Sequence, residues 1–443
     1  MPDLQMTVAS SESTWWVPAS SSTVEDRDKA EGTIAFTALI AFTGVLLLNP
    51  QAWFPALKPL RIAFLSGGLA AASLVWDRWR DRKALGVSPE IVICFVLMAW
   101  AFMTLPLSFW PGGSVAKFTD VYIKSVIVFW LLANVITTER QLRVVTTVLM
   151  LCSVPVAWQA LSNFVAGRFL PDTEKVARIT GYGQGLSAHV NDLALLLNLL
   201  LPLTIARFLS AKRNFVRPLC IGVLAINVVA IIVTFSRAGF LGLATIIAVY
   251  FMRMVRRRGA DRAWAFMIIF VAALALPLAP SNYFDRLATV KSVASDPTGS
   301  AQARWRDIVA AAQFVMGHPI IGAGLGMDVL ALNQVRGVDW VKVHNVYLEY
   351  AVDLGLPGAV LFLWLFYGVF KAVNSSRKRL ADLPEKRDLF LLVEALETSL
   401  IVFAICGLFY PIAYDFFFYY IGGLALGARA VTQHALSIAP VQT

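Results

Sequence analysis

The chain has 443 residues, of which 58% are hydrophobic and only 15% charged, and its mean hydropathy is +0.68. Since charged residues make up about a quarter of an average soluble domain, this composition excludes a soluble globular protein. The net charge of +10 would suggest nucleic acid in a soluble chain, but here most Lys and Arg residues lie in short loops between apolar runs. In such loops positive charge sets membrane topology, so we expect no nucleic-acid partner.

The two ends of the chain differ from its middle. Residues 1–32 are rich in Ser and acidic side chains and lack the basic start and apolar core of a cleavable signal peptide. We therefore expect a disordered cytoplasmic tail there. Residues 33–430 are predicted to form a polytopic membrane domain, followed by a short cytoplasmic tail over residues 431–443.

Apolar runs of bilayer-spanning length recur through this domain and predict an all-α integral membrane protein with about twelve transmembrane helices. The runs lie at about 33–48, 56–76, 90–106, 119–137, 144–166, 186–208, 218–234, 238–252, 263–279, 356–373, 389–409 and 414–430. Basic side chains cluster in the loops after every second run. The positive-inside rule places those loops, and both termini, in the cytoplasm.

Residues 280–355 form the long loop of the opposite side and are predicted to fold outside the membrane as one large periplasmic loop. Apolar residues recur in it at helical spacing and predict an amphipathic helix on the bundle or the outer leaflet, with a stripe of Trp305, Ile308, Val309, Ala312 and Val315. A second short helix is predicted from His344 to Leu354. Gly355 and Pro357 should break it before the next span.

Four short sequence blocks then carry a family resemblance. They are Arg178 to Gly181 with Asn191 to Ala194, Ser236 to Gly239, Arg304-Trp305 with His318 to Gly326, and His344-Asn345 with Gly355. In this order, and on one side of the predicted membrane, they resemble the core of the O-antigen ligase and polymerase superfamily over residues 178–370. The stretch between Gly181 and Asn191 departs from the family, because Gly, Ser and His stand where relatives often carry an aromatic residue and Pro.

The resemblance implies a C-type glycosyltransferase architecture in the bacterial cytoplasmic (inner) membrane, with the active site facing the periplasm or cell exterior. The implied reaction moves a glycan from undecaprenyl pyrophosphate to an acceptor hydroxyl, with inversion and without metal, nucleotide or other cofactor. The acceptor distinguishes a ligase for the lipid A core, a polysaccharide polymerase and a protein O-oligosaccharyltransferase, and the sequence leaves these three open. Membrane lipids are expected partners. A lipid-linked glycan flippase or transporter is the alternative from another class.

By the same resemblance, His344 is the catalytic base, and Arg237, Arg178 and Arg304 bind the donor pyrophosphate. The remaining site candidates are Asn191, Asn345, Tyr347 and His318. Imidazole suits a base because its pKa lies near neutrality, and a guanidinium binds phosphate oxygens in pairs. The structural alternatives are a helix-capping role for His344 and snorkelling to the membrane interface for Arg237.

Three further features of the sequence indicate structural and not catalytic roles. The glycines 322, 324 and 326 lack the strand and helix context of a nucleotide loop and predict a tight turn. The four cysteines lie in apolar runs and show no metal-binding spacing. Glu394 and Glu397 fall within a span and need a basic partner, for which Lys124 is a candidate.

Overall fold

A computed structural model describes residues 33–80, 82, 86–169, 179–182, 189–212, 214–256 and 300–438. These residues are almost entirely helical, with a single isolated β-bridge between Phe169 and Ile179. The prediction of an all-α membrane protein is therefore confirmed. The predicted N-terminal tail, the run at 263–279 and Arg178 lie outside the described residues.

The main helices of the described residues are numbered here in chain order. They are α1 (Thr33–Leu48), α2 (Ile62–Arg80), α3 (Pro89–Thr104), α4 (Pro111–Lys117), α5 (Ile123–Val135), α6 (Glu139–Val165), α7 (Val190–Leu209), α8 (Val216–Val233), α9 (Arg237–Val255), α10 (Ser300–Gly317), α11 (Asp328–Arg336), α12 (Val346–Leu380), α13 (Arg387–Cys406) and α14 (Phe416–Ile438). One-turn helical segments lie at Pro50–Trp53, Pro55–Leu57, Leu105–Leu107 and Pro384–Lys386, and a π-turn at Phe118–Tyr122 joins α4 to α5.

Eight helical segments within the described ranges are long and apolar enough to cross a membrane. They are Pro89–Leu107, Pro111–Val135, Glu139–Val165, Val190–Leu209, Val216–Val233, Arg237–Val255, Val346–Leu380 and Pro384–Cys406. Ile34–Leu48 is a shorter apolar helix, and α2 and α14 form helices where the remaining runs were predicted. The chain is thus a multi-pass membrane protein, and the number twelve stays a prediction.

The bundle is organised around α12, α13 and α14. Helix α14 packs along α5, α13 packs along α7, and α12 contacts α3, α13 and α14. Aromatic residues fill the centre, where the fully buried Tyr350 stacks on Phe362 with ring centroids 4.2 Å apart. Its hydroxyl donates to the Ala413 carbonyl at 2.5 Å and lies 2.8 Å from the Tyr419 hydroxyl. A buried tyrosine needs such partners, so these bonds fix α12 against the segment before α14.

The buried carboxylates of α13 pair with arginines, which corrects the predicted partner. Arg253 lies 2.5 Å from Glu397 and 3.9 Å from Glu394, and the Arg377 Nε lies 2.6 Å from Glu397. Lys124 instead faces Asp120 at 3.9 Å on an exposed surface. The pairing of α13 with the ends of α9 and α12 cannot be read from spacing, because the three helices are far apart in the chain.

The predicted break at Gly355 is confirmed. Gly355 has φ 70° and ψ −177°, a backbone conformation essentially restricted to glycine, although helix runs on both sides of it. A Cβ at this position would lie 2.1 Å from the carbonyl oxygen of Ile320. The kink therefore lets α12 approach the end of the large loop closely, and the Pro319 carbonyl accepts a hydrogen bond from Leu356 N at 2.8 Å.

Helix α10 forms within the large loop as predicted, but the predicted apolar stripe is not its buried face. Ala310, Ala311 and Phe314 are buried, whereas Trp305 is 63% exposed and Val309 is 39% exposed. The buried face belongs to a second, smaller hydrophobic core that α10 and α11 share with the start of α12. The buried face is offset around the helix from the predicted stripe, and only Val315 of that stripe packs against this core.

Candidate functional site

The site begins at the start of α12, where a polar cap and two cross-connections fix the helix end. The Asn345 side-chain oxygen accepts from Tyr347 N at 3.0 Å and Leu348 N at 3.1 Å, which satisfies two of the amides that a helix start leaves unpaired. Val346 N donates to the Gly407 carbonyl at 2.8 Å, and the Tyr347 hydroxyl donates to the Ala404 carbonyl at 2.8 Å. Asn345 and Tyr347 therefore anchor the first turn of α12 directly after His344.

His344 is half-buried immediately before this cap. Its Nδ1 lies 2.9 Å from the main-chain carbonyl oxygen of Lys342. A carbonyl only accepts hydrogen bonds, so this contact favours the tautomer that carries its proton on Nδ1 and its lone pair on Nε2. The geometry thus presents Nε2 as the basic atom of the imidazole.

The segment of residues 407–415, between α13 and α14, joins the site together. Ala413 N donates to the Glu349 carboxylate at 3.0 Å, and the Ser125 hydroxyl donates to the Tyr414 carbonyl at 2.9 Å. Asp415 forms an ion pair with Lys117 at 3.4 Å. The sequence interpretation treated these residues only as a connection between two spans. The one sequence feature that could have indicated a functional role for this segment is its density of Tyr, Pro and Asp within a short apolar connection.

Arg237 opens α9 after a strained turn. Phe235 has φ 51°, in the left-handed region that non-glycine residues rarely adopt, and Ser236 caps the helix by accepting from Gly239 N at 3.1 Å. A Cβ on Gly239 would lie 2.8 Å from the Cβ of Ala194, so α9 packs closely against α7 just beyond Asn191. This turn holds Arg237 half-buried at the end of the bundle.

Tyr410 links Arg237 to the other candidates. Its hydroxyl lies 3.4 Å from the Ser236 hydroxyl, and its side chain is buried. Burial raises the pKa of Tyr410 above its ordinary range, Asp192 acts in the same direction, and Arg304 opposes the rise. Arg304 and Asp192 are therefore close enough to Tyr410 to act on its charge. The contact with Ser236 places Tyr410 beside the start of α9, and the charges of Arg304 and Asp192 act on the Tyr410 hydroxyl.

A buried group of three carboxylates lies beside this site, and the sequence analysis missed it. Asp328, Glu349 and Asp353 are 0%, 1% and 0% exposed, and one oxygen from each lies within 4.8 Å of the others. Glu349 and Asp353 are four residues apart on α12, but Asp328 opens α11. The sequence alone gives no reason to place Asp328 against the other two.

The glycines at 322, 324 and 326 position one of these carboxylates. All three have positive φ, and a Cβ on Gly322 would lie 2.5 Å from the Val352 carbonyl oxygen. Gly326 N donates to the Asp353 carboxylate at 2.7 Å, and Gly324 N donates to the Asp353 carbonyl at 2.8 Å. The loop is thus a tight turn that wraps the kinked part of α12, in keeping with the structural interpretation of its glycines.

Lys342 supplies positive charge next to the carboxylates. Burial acts to lower the pKa of Lys342, but the nearby charges of Glu349, Asp328, Asp415 and Asp353 outweigh burial and raise it. The ammonium group is therefore charged at neutral pH. The loop before it is fixed by Arg336, which pairs with the buried Asp307 and donates to the Val341 carbonyl at 2.7 Å.

The other predicted residues have separate surroundings. His318 stacks on Phe314 with ring centroids 4.4 Å apart, and its Nδ1 lies 3.3 Å from the Phe314 carbonyl oxygen, which is the arrangement of a helix-end residue. Asn191 lies half-buried in the first turn of α7, next to Asp192. Arg178 lies outside the described residues, so its role stays a prediction.

Comparison with known proteins gives one match. The model of the O-antigen ligase family matches residues 222–363, about a third of the chain. This range includes Arg237, Arg304, His344 and the three buried carboxylates, but it begins after the block of Arg178 and Asn191. Among curated proteins nothing matches the chain. The match supports membership of the O-antigen ligase and polymerase superfamily, and with it an activity of ligase or polymerase type.

Proposed function

Because residues 222–363 match the O-antigen ligase family, we propose that this membrane protein is a glycosyltransferase that moves a glycan from undecaprenyl pyrophosphate to an acceptor hydroxyl. The reaction takes place at the outer face of the bacterial cytoplasmic membrane. The observation that carries the proposal is the contact between His344 Nδ1 and the Lys342 carbonyl at 2.9 Å. It leaves the lone pair on Nε2, which is what a base at neutral pH requires.

In the proposed step, His344 Nε2 accepts the proton of the acceptor hydroxyl as the oxygen attacks the anomeric carbon of the donor sugar. The bond from that carbon to the pyrophosphate oxygen breaks, and the lipid pyrophosphate leaves with the electron pair. Attack opposite the leaving group inverts the anomeric centre. A positioned general base of this kind contributes roughly 10²- to 10⁴-fold to the rate.

Arg237 and Arg304 stabilise the leaving group in this proposal. Both are half-buried. Arg237 follows Ser236, whose hydroxyl lies 3.4 Å from the Tyr410 hydroxyl, and the charge of Arg304 lowers the pKa of the same tyrosine. A guanidinium stays charged and binds phosphate oxygens in pairs, and its effect is larger where water is excluded. Arg178 completes the set by family resemblance, as a third phosphate contact. No metal is needed for the chemical step when two or three arginines supply the positive charge.

Because the matching family is described as O-antigen ligase, a lipid A core is the first acceptor to test, and transfer to it would make the protein a ligase. A polysaccharide polymerase and a protein O-oligosaccharyltransferase share the same donor chemistry and are the other outcomes of the test. Purified protein should be incubated with a defined undecaprenyl-pyrophosphate glycan and, separately, with each of the three acceptor classes. Transfer to the lipid A core alone supports the ligase, and transfer to another class reassigns the acceptor. Failure to consume the donor with any acceptor contradicts the proposed function.

A further inference from the structure

The three buried carboxylates adjoin the residue before His344, because Asp328 accepts from the amide of Val343, and they are not used by the proposed transfer. Each has one oxygen held by a main-chain amide from a different part of the chain. Val343 N donates to Asp328 at 2.8 Å, Ala413 N donates to Glu349 at 3.0 Å, and Gly326 N donates to Asp353 at 2.7 Å. The three amides therefore orient the carboxylates, and one of them belongs to the residue just before His344.

The remaining oxygens are left without protein partners at two of these positions. Asp328 Oδ1 and Asp353 Oδ1 are buried and accept no hydrogen bond from the described part of the chain. The Tyr414 hydroxyl is buried beside Asp353 and makes no other hydrogen bond within the described part of the chain. Buried polar atoms are seldom left unsatisfied, so the two unpaired carboxylate oxygens call for a ligand.

Charge and distance both identify the kind of ligand. As ligands of a cation the three carboxylates are ionised and together carry −3. Lys342 reduces this to −2, while Lys117 and Asp415 cancel each other as a pair. One divalent cation neutralises the remainder. Calcium binds oxygens at about 2.3 to 2.6 Å, so two ligands on opposite sides of the ion are about 4.6 to 5.2 Å apart. The carboxylate oxygens, all within 4.8 Å of one another, fit that span.

We propose that Asp328, Glu349 and Asp353 bind a divalent cation of the hard, oxygen-preferring class, with calcium the ion whose bond lengths match their spacing, as a structural link next to Val343. A site with only oxygen donors disfavours zinc and copper, which prefer nitrogen or sulfur ligands. The ion joins the start of α11 to α12 and, through the three amides, holds Val343, Gly326 and Ala413 in place. It does not touch the reacting atoms, so this inference is independent of the transfer chemistry.

The test measures thermal stability of the full chain in detergent, after treatment with chelator and during titration with Ca²⁺, Mg²⁺ or Mn²⁺. We expect a saturable rise in the melting temperature with at least one of these ions, because a ligand that binds only the folded state stabilises it. Elemental analysis after dialysis should find about one equivalent of that ion per chain, in line with a single site. No rise with any of the three ions, together with no retained metal, overturns the proposal.

Variants locate the site and distinguish it from a cluster that is held by shared protons. Asp328→Asn and Asp353→Asn should abolish the ion-dependent rise, and Glu349→Gln serves if one of these variants fails to fold. Asp415→Asn is the matched control, because this carboxylate lies nearby but pairs with Lys117, and its response to the ion should remain. Without a cation, removing one of three like charges relieves repulsion. The proposal is therefore contradicted if a variant melts at a higher temperature than the native chain in chelator and its melting temperature does not change with the ions. It is also contradicted if the ion-dependent rise in melting temperature persists in both Asp variants.

Discussion

The imidazole of His344 is oriented by the main chain two residues before it, since its Nδ1 lies 2.9 Å from the carbonyl oxygen of Lys342. The amide of Val343, which lies between Lys342 and His344, donates to the buried Asp328 at 2.8 Å and so fixes the same stretch of main chain. The base is thus held by backbone contacts, and the carboxylates act on it through the chain. This arrangement differs from a catalytic triad, in which a carboxylate contacts the histidine directly.

Arg237 is expected to bind pyrophosphate through both of its terminal nitrogens. Arg237→Lys keeps the charge but loses the paired geometry, so it should weaken donor use, and Arg237→Ala should weaken it more. The measurement is the dependence of the transfer rate on donor concentration. Arg256→Ala is the matched control, because Arg256 is exposed directly after the last residue of α9, at the end opposite Arg237. Normal donor use in Arg237→Ala would mean that the arginine only anchors the helix at the membrane interface.

The kink at Gly355 is expected to tolerate no side chain. Its φ of 70° with ψ of −177° and the 2.1 Å approach of the Ile320 carbonyl predict a loss of at least about 2 kcal/mol for Gly355→Ala. The melting temperature of the purified protein measures this. Gly222→Ala provides the comparison, because this glycine lies within α8 and has no atom within 4 Å of the added Cβ. Equal melting temperatures for the two variants would show that the kink is not required.

The buried ion pairs of α13 predict a second stability effect. Glu397 is 2% exposed and contacts Arg253 at 2.5 Å and Arg377 at 2.6 Å, so Glu397→Gln leaves two partly buried cations underpaired. We expect a loss on the order of 3 kcal/mol, seen as a lower melting temperature. Glu139→Gln removes a surface pair with Arg143, for which losses are below about 1 kcal/mol. A Glu397 variant no less stable than the Glu139 variant would contradict this role.

Topology can be tested with introduced cysteines, because the four native ones are buried. Val338→Cys, at an 80% exposed position in the large loop, should react in intact cells with a thiol reagent that does not cross the membrane. Ser375→Cys, near the basic end of α12, should react only after the cells are opened. Equal labelling of both in intact cells would show that the predicted orientation is wrong.

The sequence could predict those features that depend on local pattern. Apolar length predicts the membrane helices, glycine at 355 predicts the kink, and the family blocks single out His344 and Arg237. The sequence could not predict contacts between distant parts of the chain. The pairing of Glu397 with Arg253 and the meeting of Asp328 with Asp353 depend on how the helices pack. A single sequence carries no periodic signal for such packing, and for the same reason it does not distinguish the face of α10 that packs against α11 and α12 from the apolar face that stays exposed.

The most direct test of the account is the transfer rate of His344→Gln at saturating donor and acceptor, measured across pH with the native protein alongside. Gln retains hydrogen bonding but accepts no proton at neutral pH, so the rate should fall by at least about a hundredfold while donor binding persists. The native rate should rise with pH as the histidine loses its proton, and the variant should lack this rise. A variant with near-native rate and the same pH profile would contradict the assignment of His344 as the base.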